Sequence, residues 1–160
     1  MMTALAPLLV LGWGNLSRGD DALGPLCLQQ LRDAGLPEGE VSLLDDYQLQ
    51  VEHALDLVGR RRVLFVDASL NCPAPFQVTR VQAAREAGFS THAMSPQALL
   101  HVYGQLHSAP APACTLLAIR GERFGLGEPP SAAALAHLAA AMPWVLAWLA
   151  DATMEAPTHA

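Results

Sequence analysis

The sequence predicts an α/β protein, a three-layer, doubly wound and mostly parallel five-stranded sheet with one antiparallel edge strand and helices on both faces. Three observations predict it. Short apolar runs of strand length recur at 7–12, 41–44, 62–66 and 113–119, and helix-length segments separate the first three. A further strand-like run at 76–83 begins only about nine residues after the third, too soon for a helical crossover, so it reads as antiparallel and at an edge.

Each element follows from local chemistry. The run from Pro7 to Gly12 is a first strand, and a polar loop from Trp13 to Asp20 leads into a helix that Gly35 and Pro37 terminate. Positions 41–44 form the second strand and 48–58 a second helix. Positions 62–66 read as a buried third strand, purely apolar after Arg62. Ser95 and Pro96 supply an N-cap and a first-turn proline for a helix to about Leu106. The last strand, a long polar turn at 120–130 and a C-terminal helix from Ser131 close one domain, 1–152, with a flexible tail at 153–160.

The C-terminal stretch is long and apolar enough to resemble a membrane span. It contains His137 and Pro143 and is diluted by alanine, and it sets Leu135, Leu138, Met142, Val145 and Leu149 on one stripe, so it reads as a core helix. The N-terminal run has no basic residue ahead of it and ends at glycine, which fits a buried strand and no signal peptide.

Composition excludes several functions. With 52% hydrophobic and 15% charged residues the chain of 160 is built to bury a core without disulfides. A net charge of −6 argues against a nucleic-acid partner, and the one basic cluster, Arg60-Arg61-Arg62, reads as a solvated turn. All nine basic residues are arginine. Without lysine there is no Walker phosphate loop and no Schiff base, and a receiver-type signalling domain lacks the lysine it needs after the fifth strand. Cys27, Cys72 and Cys114 lack zinc spacing and read as buried thiols of a reducing compartment.

In doubly wound sheets ligands sit outside the carboxyl ends of the strands. The loop Gly12-Trp13-Gly14-Asn15-Leu16-Ser17-Arg18-Gly19-Asp20-Asp21 lacks the third glycine of a dinucleotide fingerprint, and two acids already occupy the helix entrance. Taken alone, Asp20 and Asp21 read as first-turn acids. Asp67 ends the third strand and needs a donor, a cation or water there. In the common strand order 2-1-3 it converges with Asp21. Of six histidines, four fall on helices or their ends and one in the tail, whereas His92 lies in the polar segment before the Ser95 helix. The ~8 residues before it can span back to the carboxyl ends at ~3.3 Å each, a length that allows convergence without requiring it. Two carboxylates and an imidazole suit Zn²⁺, Ni²⁺ or a similar ion with open positions, or activation of water by a carboxylate base. Both point to hydrolysis.

Gly12-x-Gly14-Asn15-x4-Asp20-Asp21-x2-Gly24, Val66-Asp67-Ala68 and Ser90-Thr91-His92, in this order, resemble the signature of the [NiFe]-hydrogenase maturation endopeptidases over about residues 7–150, and Phe124-Gly125 with the Ser131 helix start fits that family's last loop. The resemblance implies an aspartic-type endopeptidase that removes a C-terminal extension from a hydrogenase large-subunit precursor once nickel is installed. Asp21, Asp67 and His92 match the nickel-contacting positions, with Gly14, Asn15 and Asp45 toward the substrate and Asp20 less sensitive to substitution than Asp21. It implies no permanently bound cofactor, since nickel arrives in the substrate, with zinc or cadmium able to replace it in vitro. It further implies a cytoplasmic monomer that engages neither nucleic acid nor membrane. A non-catalytic nickel chaperone of the same subunit is the alternative, and a receiver-like signalling domain a weaker one. The family often carries Asp-Gly-Gly-Thr after the second strand; here the segment is Asp45-Asp46-Tyr47-Gln48, so the substrate surface differs there.

Overall fold

Alternation of side chains along the strands builds two cores on one sheet. In β1 (Leu8–Trp13), Leu9, Leu11 and Trp13 face one side and Val10 the other. The computed structural model describes residues 5–37, 39–85 and 94–150. Within them β1 is followed by α1 (Leu23–Asp33), β2 (Val41–Asp46), β3 (Arg62–Ser69), β4 (Phe76–Arg80), α2 (Pro96–Leu106), β5 (Ala113–Arg120) and α3 (Ala132–Ala150). The sheet order is β2-β1-β3-β5-β4, with β4 antiparallel to β5 and every other pair parallel. The mostly parallel five-stranded sheet with one antiparallel edge is therefore as the sequence predicts.

On one face Val10, Leu64, Val66, Leu117 and Ile119 pack under α1 and α3. On the other, Leu9, Leu11, Val63, Phe65 and Cys114 pack under α2 and the segment after β2. Each fully buried leucine contributes about 1.5–3 kcal/mol, so the two layers hold the carboxyl ends of β1 and β3 rigidly. Ser95 Oγ accepts from Ala98 N at 3.0 Å and Pro96 opens the helix, the predicted start of α2.

Four local expectations are corrected. The second helix is a two-turn 3-10 segment, Val51–Leu57, entered through a reciprocal cap between Gln50 and His53 and stopped by Gly59 at φ 80°. β3 runs to Ser69, past its apolar stretch, because β5 pairs with it as far as Arg120. In α3 the buried stripe is Ala134, Leu138, Ala141, Val145 and Trp148, and Leu135 is exposed, since small alanines let the helix lie close to the sheet. By length and composition α3 passes as a membrane span, yet this stripe is covered by the sheet. The arginine cluster is only partly a solvated turn. Arg62 stacks on Trp148 at 4.3 Å and donates to its carbonyl, and Arg60 donates to Ala6 O and Ser42 Oγ.

Candidate active site

Beyond β1 the chain folds back on Asp21. Gly14 adopts φ 148°, and a Cβ there would collide with the Asp21 carbonyl. Its N–H donates to Asp46 O at 3.0 Å, and the next N–H, of Asn15, donates to Asp21 Oδ2 at 2.8 Å. Asn15 Oδ1 in turn accepts from Ser17 N at 2.8 Å, so the loop is wound by its own side chains. Gly24 has a different task. A Cβ on it would lie 2.5 Å from Trp13 O and 2.9 Å from Val66 O, so only glycine lets α1 start directly on the ends of β1 and β3. The glycine spacing that superficially suggests a nucleotide loop serves packing.

The same close approach brings the two acids together. Gly12 pairs with Val66, which sets Trp13 and Asp67 side by side one step farther on. The Asp67 carboxyl is pushed up from 3.8 to about 7, first by burial and then by the negative charge of Asp21, against the opposing N–H groups of Ala68 and the Trp13 indole. Two carboxylates close enough to feel each other's charge favour a proton on one of them or a cation nearby. The side of the sheet is informative as well. Asp67 follows Val63 and Phe65 onto the α2 face, and where the described chain resumes, Met94 N donates to Leu49 O at 3.4 Å on that face. His92 itself lies outside the described residues, as does the tail. Among the described residues no group of three or more His, Cys, Asp or Glu side chains is placed to hold a metal.

Beside Asp21 opens a cleft of about 430 Å³ whose lining includes Gly14, Asn15, Ser17, Asp45, Asp46 and Tyr47, so the three residues expected toward the substrate line one cleft. Asp45 is not a bare charge, because Arg32 of α1 holds it at 2.6 Å. Asp46 lies 3.3 Å from His53 Nε2, whose other nitrogen accepts from Gln50 N at 2.8 Å.

Comparison with solved structures places this fold. The hydrogenase maturating endopeptidase HybD from E. coli superposes with a TM-score of 0.74 at 23% identity, over 93% of this chain and 95% of that one. The [NiFe] hydrogenase maturation protease HycI from Thermococcus kodakarensis KOD1 superposes with 0.71 at 19% identity, over 91% and 94%. The chain has the hydrogenase maturation protease fold. An endopeptidase from Escherichia coli, solved in solution, agrees at a TM-score of 0.70, 22% identity and 94% and 96% coverage. No protein-family model matches the sequence, and no curated protein matches it.

Within this maturation-protease fold the predicted residues divide. Asp21, in the turn after β1, lies within electrostatic reach of Asp67 at the end of β3; Gly14, Asn15 and Asp45 line the adjoining cleft. Asp20 behaves differently from the first-turn acid expected. It is fully buried, and its carboxylate faces away from its own turn, onto Glu122, Arg123 and Ser131. Burial alone would raise it, but the N–H groups of Ser131, Arg123 and Glu122 and the Ser131 hydroxyl together hold it below 3.8. Sequence reasoning missed this, and missed the Trp13 donor and the Arg32 partner of Asp45. Only Trp13 left a signal, because an indole N–H at the end of a buried strand needs an acceptor.

Proposed function

We propose that this protein is an endopeptidase of the hydrogenase maturation type, which cuts the C-terminal extension from a [NiFe]-hydrogenase large-subunit precursor after nickel insertion. The observation that carries the reading is the proximity of Asp21 and Asp67 at the carboxyl ends of the strands, beside a cleft of about 430 Å³, in the fold shared with such proteases. Asp21, oriented by the Asn15 N–H, and Asp67 clasp the nickel carried by the substrate, and His92 completes the set. The Asp67 proton leaves as the cation arrives. Water then adds to the carbonyl carbon of the neighbouring peptide bond, the C–N bond breaks and the leaving amine takes a proton. Gly14, Asn15 and Asp45 line the path of the extension. The enzyme works in the cytoplasm as a monomer, binding neither membrane nor nucleic acid and holding no cofactor when free. Three buried free thiols suit such a reducing compartment.

The test is incubation of the purified protein with a nickel-loaded, C-terminally extended large subunit, followed by mass measurement. Loss of the extension is expected with the wild type and with neither His92→Ala nor Asp67→Asn. An intact precursor of demonstrated nickel content sinks the protease reading and leaves a binding role for the same subunit.

A further inference from the structure

Asp20 belongs to neither the metal clasp nor the cleft, yet it is the most completely bound carboxylate described here. It has no exposed surface. Its Oδ2 accepts from Glu122 N at 2.6 Å, Arg123 N at 2.9 Å and Ser131 Oγ at 2.8 Å, and its Oδ1 from Ser131 N at 2.6 Å. Its own N–H donates to Arg123 O at 2.7 Å. Two more backbone bonds lace the same loops, Gly19 N to Glu128 O at 2.9 Å and Gly127 N to Ser17 O at 2.6 Å. Its negative charge sits at the start of the 19-residue α3, where the helix dipole favours an anion, and the Ser131 hydroxyl it engages also caps Ala134 N at 3.1 Å.

These contacts fix more than the loop between β5 and α3. Asp20 and Asp21 are neighbours in the short 3-10 turn Gly19–Ala22, so clamping one side chain fixes the peptide that carries the other. Resting on the proposed function above, we infer that Asp20 is a positioning residue of the site. It binds the loop after β5 and the head of α3 to the β1 loop, and so holds the Asp21 carboxylate opposite Asp67 at the distance a cation needs. The sequence alone gave Asp20 the lesser role; four convergent donors give it control over Asp21. Misplacement of a catalytic group by ~1 Å costs ~10²-fold in rate, so the effect is on turnover more than on substrate affinity.

The experiment uses the full chain with Asp20→Asn, which keeps the shape but turns one acceptor into an NH₂ facing an N–H, and with Ser131→Ala and Ser131→Thr. Turnover of the nickel-loaded precursor is measured well below each melting temperature, together with amide exchange at Asn15, whose N–H binds Asp21, and at Leu64 in the core. In Asp20→Asn, kcat is expected to fall about 10²-fold with KM within about threefold, and Asn15 to lose protection while Leu64 keeps it. Ser131→Ala is expected to fall about tenfold and Ser131→Thr to restore turnover. If Asp20→Asn does not fold, the Ser131 pair decides by the same two readouts. Unchanged kcat with Asn15 still protected, whatever the loss of stability, overturns the inference. If the wild type leaves the precursor intact, the protease reading alone fails, and exchange at Asn15 still decides whether Asp20 holds the Asp21 loop.

Discussion

Asp67→Asn should make the free protein more stable while destroying its activity, and the gain should grow with pH. The folded chain holds the Asp67 proton more tightly than the unfolded chain does, about 7 against 3.8. A raised carboxyl contributes stability that is complete below about pH 4 and lost as pH climbs through about 7, at no more than about 1.4 kcal/mol per pH unit. The full difference corresponds to about 4 kcal/mol, a ceiling because Asp67 is half-buried and solvent screens the pair. Asparagine keeps an oxygen for the Trp13 and Ala68 donors, offers an N–H to Asp21 and carries no charge. Urea denaturation of both proteins at pH 4 and pH 8 measures the effect. The expected gain is near zero at pH 4 and about 1–4 kcal/mol at pH 8, or roughly 2–4 °C in Tm for each kcal/mol. Titrating groups remote from the Asp21–Asp67 pair are common to both proteins and cancel. An equal difference at the two pH values would refute the claim that burial and the Asp21 charge set the state of Asp67.

Gly14→Ala should cost about 2 kcal/mol or more and lower cleavage by at least tenfold, because φ 148° is strained for alanine and its Cβ meets the Asp21 carbonyl; urea denaturation and precursor cleavage report both. Ser95→Ala should cost about 1 kcal/mol in the same denaturation assay, by removing the cap on α2 directly after the segment that carries His92.

Legibility varied with the range of the interaction. Ser95 and Pro96 announced α2 because a cap and a first-turn proline act within three residues. The pairing of Asp21 with Asp67 was legible at one remove, since an apolar run ending in an acid, placed next to β1 by ordinary strand order, leaves little choice of neighbour. The 3-10 form of Val51–Leu57 was not legible, because its composition suits either helix. The arginine cluster misled for a related reason, as Trp148 lies 86 residues from the Arg62 it receives.

The sequence by itself determined the α/β layering, the antiparallel edge, the loops at the carboxyl ends of the strands and the two acids at the sheet's end, because periodicity, capping and strand order are local or nearly so. Tertiary structure decided what those acids do. The donors that bury Asp20 stand 102 to 111 residues away, and the burial that lifts Asp67 exists only once α1 has closed, through Gly24, onto β1 and β3. A carboxylate's character is set by the dielectric and the donors around it, and only the folded chain supplies those.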